Sequence, residues 1–104
     1  RGHRLLDAGQ LAHLDLGRPD SALAYLTRAL PLFRVAGDAA NEATTLHNIG
    51  LVYDNIGRPD SALAHYSQAL LRRRVLGDST REAETLSNMG RVLVRLGRLD
   101  SALA

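Results

Sequence analysis

One phrase occurs three times at a fixed interval. Gly17-Arg18-Pro19-Asp20-Ser21-Ala22-Leu23-Ala24 returns unchanged at Gly57 to Ala64, and returns at Gly97 to Ala104 with Leu99 in place of proline, each time 40 residues on. Self-similarity at a spacing of roughly 20 to 50 residues marks a stacked array, because one such unit is too small to bury its own apolar face and must lean on a neighbouring copy. The repeat therefore predicts one array over residues 1–104, divided into units at 1–38, 39–78 and 79–104. Any function belongs to a surface that several units share.

The middle unit shows what each copy builds. Ala43, Leu46, Ile49, Gly50, Tyr53 and Ile56 recur at three- and four-residue steps, which places them on one stripe of a helix. After the Gly57-Arg58-Pro59 turn the pattern resumes with Ala62, Leu63, Tyr66, Ala69 and Leu70, so the unit reads as an antiparallel helical hairpin. Small Gly50, Ala62 and Ala69 allow close approach, and Tyr53 and Tyr66 fill the remaining space. Gly37-Asp38 and Gly77-Asp78 punctuate the units, the glycine ending one helix and the aspartate capping the next. Asp20 and Asp60 belong at a helix start, where orphan amides and the dipole favour an anion. Ser79-Thr80-Arg81-Glu82 has the form of a capping box.

Irregularities sit at both ends. In residues 1–16, Gly9 falls one position away from the glycines at 50 and 90, which suggests a one-residue register adjustment in a degenerate first helix. Pro31 falls inside the second helix of the first unit, where loss of a backbone donor predicts a kink or break over residues 27–31. The third unit repeats Leu86, Met89, Gly90, Leu93 and Leu96, followed by a turn at Gly97, with only Ser101 to Ala104 left for its second helix. The expectation is an array cut short, with apolar surface exposed at its end.

Charge and composition remove other classes. Thirteen cations, all arginine, face 11 anions in a chain with 45% apolar residues and no cysteine. The interspersed signs describe a solvated surface rather than a nucleic-acid footprint, and disulfides and thiolate metal sites are ruled out. No apolar run approaches the ~18 residues of a membrane span, and Arg1-Gly2-His3-Arg4 does not open a signal peptide. The simplest expectation is a cytoplasmic protein without cofactor or metal. His3, His13, His47 and His65 share no i, i+4 pairing, and no phosphate loop or Ser-His-acid arrangement is visible, so an enzyme is not expected.

The residues also carry a resemblance. Leu46, Ile49, Gly50 and Tyr53, followed by Ala62, Tyr66 and Ala69, closely resemble the tetratricopeptide repeat. Leu86, Met89, Gly90, Leu93 and Ala102 match in the third unit, as do Ala22, Leu26 and Ala29 in the first. The 40-residue period, with Arg34 and Arg74 where the family usually has proline, resembles the long-helix subclass of kinesin light chains, Pins-type adaptors and bacterial regulators. The wording at Asn48-Ile49-Gly50 and Gly77-Asp78 is most similar to the bacterial regulators. The resemblance implies an all-α, right-handed α-solenoid of antiparallel helix hairpins that works as a non-catalytic protein-interaction module.

In that family the first helices line a concave groove that grips a peptide. Carried over, the groove positions are Thr44, His47, Asn48, Leu51, Asp54 and Asn55 in the middle unit. In the third they are Glu84, Ser87, Asn88, Arg91, Val94 and Arg95. Asn48 and Asn88 stand out, since an amide offers both donor and acceptor to a peptide backbone; the competing reading is that they bridge helices or face water. Arg91 and Arg95, four apart, could meet a carboxylate or simply be solvated. Ala8 stands where those asparagines would be in the first unit, and His13 in the place of Tyr53 reads as a half-buried core residue. Arg72-Arg73-Arg74 admits phosphate contact, in nucleic acid or a phosphorylated partner, but its place at a helix end favours a structural role. The thrice-repeated Asp-Ser pair reads as helix-start chemistry. Self-association through the exposed terminal unit is the alternative to peptide capture.

Overall fold

The computed structural model describes residues 17–103, with side chains placed over residues 17–98. The described residues form four helices in series and no strand: α1 (Pro19–Ala36), α2 (Ala39–Asn55), α3 (Pro59–Leu76) and α4 (Ser79–Leu103). This is an all-α helical-repeat solenoid in which packing runs between consecutive helices, α1 on α2, α2 on α3 and α3 on α4. The register adjustment at Gly9 and the expectations for His3, Ala8 and His13 lie outside the described residues.

Local chemistry sets the boundaries. Pro19 and Pro59 open α1 and α3, with Asp20 and Asp60 in the first turn, where the missing proline N–H costs nothing and the acid meets the positive end of the dipole. Gly37 and Gly77 close those helices in the left-handed conformation at φ 71°, which an L side chain seldom adopts. Asp38 then caps α2, its Oδ1 accepting from the Asn41 amide at 3.1 Å. Asp78 does the same for the Arg81 amide at 3.1 Å. The cap of α4 is therefore Asp78, and the expected Ser79 to Glu82 box does not form. The Glu82 carboxylate instead accepts from Arg74 at 2.9 Å.

Two expectations about helix continuity are corrected. Helix α1 runs unbroken through Pro31. Ala22, Leu26, Ala29 and Phe33 are buried on both sides of that position while Pro31 and Thr27 are exposed. The apolar stripe thus holds α1 against its neighbour, and Thr27, whose carbonyl loses its helical donor to Pro31, is an exposed residue. At the other end, α4 continues to Leu103 with no turn at Gly97. Gly37, Gly57 and Gly77 take positive φ, but Gly97 does not. Leu99 restores the backbone N–H that proline lacks at positions 19 and 59, so the hydrogen-bond ladder carries through.

The core has two parts. Ala22, Leu26, Ala29 and Phe33 of α1 pack with Ile49 and Val52 of α2, and Ala62 and Tyr66 of α3 pack with Val92 of α4. Gly50 admits the closest approach: a β-carbon there would lie 2.8 Å from the Tyr66 ring and 3.1 Å from the Ala62 carbonyl oxygen. Tyr66 occupies the space that glycine leaves open.

Candidate functional site

Helices α2 and α4 are the first helices of successive units, and α3 packs on both. Long polar side chains bridge between them. The most buried of these is Arg73 of α3, 2% exposed. Its Nη1 donates to Thr85 Oγ1 at 2.6 Å and to the Arg81 carbonyl at 3.2 Å, and its Nη2 donates to Thr44 Oγ1 at 3.3 Å. Glu84, the acid beside it, stands 3.7 Å away and is largely exposed. Burial holds the Arg73 guanidinium below its ordinary pKa, with Glu84 acting against that and the neighbouring Arg81 charge adding to it.

His47 shares this junction. Its Nδ1 lies 3.0 Å from Thr85 Oγ1 and 3.2 Å from Arg73 Nη1, and its Nε2 lies 3.2 Å from Asn88 Nδ2. One tautomer satisfies Thr85 and Asn88: Nδ1–H donates to Thr85, Nε2 accepts from Asn88, and Thr85 passes its own proton to the Arg81 carbonyl at 3.1 Å, while Arg73 Nη1, itself a donor, is a close neighbour of Nδ1 rather than a bonding partner. Burial lowers the His47 pKa to about 4, and the charges of Arg73 and Arg81 push the same way. The imidazole ring also packs on Tyr66, 5.2 Å between centroids.

The geometry sorts the groove residues expected from sequence. Thr44 and His47 are buried at the junction between α2 and α4, so neither is open to a guest; each is drawn inward by a partner on the following unit. Asn88 reaches back to His47 and accepts from Arg91 through Oδ1. Asn48 Nδ2 is buried with no hydrogen-bond partner among the described residues. Asn55 caps its own helix turn by donating to the Leu51 carbonyl at 3.1 Å, and Glu84 points toward Arg73. Asp54, Ser87, Arg91, Val94 and Arg95 line one open cleft of about 640 Å³, joined there by Gly90 and Arg98. Arg95 crosses the gap between helices to pair with Asp54.

The arginine run separates into three roles. Arg72 pairs with Glu42 at 2.8 Å, Arg74 with Glu82 at 2.9 Å, and Arg73 turns into the junction. Glu42 also receives Arg34 at 2.9 Å. Burial pushes the Glu42 carboxyl up, but the guanidiniums of Arg34 and Arg72 outweigh it and hold it below the usual carboxylate range. Arg34–Glu42 and Arg74–Glu82 are the same pair displaced by one period, so the contact recurs at both unit boundaries. A family model described as tetratricopeptide repeat matches residues 5–70 and 56–104.

The chain belongs to the tetratricopeptide repeat family. No curated protein and no solved structure matches it. The tetratricopeptide pattern accounts for Leu46, Ile49, Gly50, Ala62, Tyr66 and Ala69, all buried or in close contact. It says nothing of Arg73 and Thr85, which sequence reasoning missed. The available signal was positional: Arg73 stands one period after Phe33, and Phe33 is buried in the first core cluster. A polar residue at a position that is apolar in the neighbouring unit marks a buried polar junction. Among the described residues no three His, Asp or Glu side chains gather as metal ligands, and no helix is long and apolar enough to cross a membrane.

Proposed function

We propose that this tetratricopeptide array is a non-catalytic module that captures a peptide or a partner domain on the face formed by α2 and α4. One observation carries the reading: positions contributed by two successive units, Asp54 from α2 and Ser87, Arg91, Val94 and Arg95 from α4, converge on a single cleft. A surface built from several units is what a repeat array offers that a lone hairpin does not. Asn48 enters this reading as a groove position on α2 that the resemblance implies, although its amide nitrogen is buried. The 40-residue period and the Asn48-Ile49-Gly50 and Gly77-Asp78 wording support the long-helix subclass, placed within a larger cytoplasmic regulatory or signalling protein of bacterial type. A peptide-library capture comparing the native chain with Asn48→Ala and Asn88→Ala tests the grip. Binders are expected to be lost in the double variant, and survival with unaltered affinity removes those amides from the site.

A second reading has its own support. Leu86, Leu93 and Val94 of α4 are about half exposed, and a β-carbon added at Gly90 meets nothing within 4 Å. Gly50, one period earlier, is covered by Tyr66, so this face of α4 can accept another chain as self-association. Light scattering across a concentration series separates the two, since a strict monomer at high concentration excludes it.

A further inference from the structure

Helix α4 carries an apolar stripe that no other described residue covers. Ala83, Leu86, Gly90, Leu93 and Gly97 follow one another at alternating steps of three and four, which sets them along a single line of the helix. Ala83, Leu86, Leu93 and Gly97 are exposed, and a β-carbon added at Gly90 or Gly97 meets nothing within 4 Å. One period earlier the same line is closed. Leu46 is 1% exposed where Leu86 is 44% exposed, and Gly50 lies under Tyr66 and Ala62 of α3. On α2, therefore, this stripe takes the returning helix of a hairpin at close range.

We infer that the stripe on α4 pairs with the same stripe of a second copy of this chain, the two helices running antiparallel and crossing at Gly90. The inference rests on the self-association reading above and names the surface and its orientation. About a twofold axis at Gly90, Leu86 stands level with Val94 of the other copy, Leu93 with Ser87, and Ala83 with Gly97. Each leucine thus packs against a smaller side chain, and the backbones close on glycine. Charge decides the direction. Glu84, Arg91 and Arg98 each follow a stripe residue by one position and share one flank, whereas Glu82 precedes Ala83 and lies on the other. Antiparallel pairing sets a flank against itself reversed, so the exposed Glu84 of each copy comes beside the exposed Arg98 of the other. Parallel pairing sets opposite flanks together and brings Glu84 to Glu82 of the other copy, like charge against like. Arg91 falls near the axis, level with its own mate, but its bond to Asn88 draws it back toward the cleft.

The chain has no cysteine, so introduced thiols report the pairing without background. Ala83→Cys and Gly97→Cys proteins, mixed and mildly oxidised, should form the disulfide that joins one variant to the other in preference to either self-disulfide. Light scattering across a concentration series should show a dimer, and Gly90→Gln should weaken it about tenfold by blocking the crossing. Within one copy that side chain enters open space, so the variant is expected to fold, and unchanged helicity by circular dichroism checks this. Arg98→Glu sets two acids together and should weaken the dimer about fivefold, less so at high salt. A dimer that Gly90→Gln leaves unaltered, or one that gives the self-disulfides first, overturns the antiparallel α4 pairing and leaves self-association standing. A strict monomer at high concentration overturns both. A library peptide captured by the monomer and released by Gly90→Gln gives this face to a different partner and overturns the second copy.

Discussion

Acidification from pH 7 to pH 5 acts on the His47 junction. The imidazole is 6% exposed, and its pKa lies at about 4 against an ordinary value of 6.5. The folded state therefore holds the proton less tightly than the unfolded chain does. For such a depressed histidine, stability is complete above about pH 6.5, declines as the pH falls, and is fully lost below about pH 4. A shift of about 2.5 units at ~1.36 kcal/mol per unit amounts to roughly 3 kcal/mol, of which about 2 kcal/mol disappears between pH 7 and 5. Arg73 and Arg81 supply the repulsion, which Glu84 and Asp78 offset only in part, and the contacts to Thr85 and Asn88 are met by a neutral imidazole. Glu42, whose depressed carboxyl also favours the folded state, loses its contribution as the pH falls through and below the ordinary carboxylate value of 4.5, so between pH 7 and 5 the loss belongs mainly to His47. Urea unfolding followed by circular dichroism at pH 7, 6 and 5 reads the effect. With a slope of about 1 kcal/mol per molar urea, the midpoint should fall by about 2 M. His47→Gln, which can bond to Thr85 and does not titrate, should remove most of that fall. An equal drop in the variant would refute the assignment of the effect to His47.

Other substitutions probe the packing. Gly50→Ala forces a β-carbon onto the Tyr66 ring and should lower stability by about 1–3 kcal/mol, whereas Gly90→Ala meets open space and should raise it by about 0.5–1 kcal/mol; thermal melts of the two should move in opposite directions. Asp38→Ala and Asp78→Ala each remove a helix cap and should cost about 1 kcal/mol, additively, in chemical denaturation. Arg73→Ala should cost about 2 kcal/mol by stripping partners from Thr44, Thr85 and the Arg81 carbonyl, while Arg74→Ala, at an exposed pair, should stay within ~1 kcal/mol. Equal costs at Arg73 and Arg74 would mean that the run acts as one charged patch.

Much of this architecture is legible in the residues alone. The repeated phrase, with its apolar steps of three and four, specifies helical hairpins and their spacing. Gly37-Asp38 and Gly77-Asp78 specify stop and start because glycine conformation and aspartate capping are local chemistry. Even the contact of Gly50 with Tyr66 follows, since a missing β-carbon on an apolar stripe invites a large neighbour. The candidate cleft is legible in part: the family resemblance implies Asp54, Ser87, Arg91, Val94 and Arg95, but neither Gly90 nor Arg98.

What lay beyond the sequence depends on distances between elements that are not neighbours in the chain. Whether His47 faces a guest or the interior is decided by Thr85 and Asn88, 38 and 41 residues away. Arg73 looks like one of three equivalent cations until α4 places a threonine hydroxyl and a backbone carbonyl beside it. Pro31 was expected to disturb a helix that tertiary packing keeps continuous, because burial of Ala22, Leu26, Ala29 and Phe33 outweighs one lost hydrogen bond. Periodicity reports which stripe of a helix avoids water. It cannot report which polar side chain at the edge of that stripe finds a partner, and that depends on how closely separate helices approach once the units have stacked.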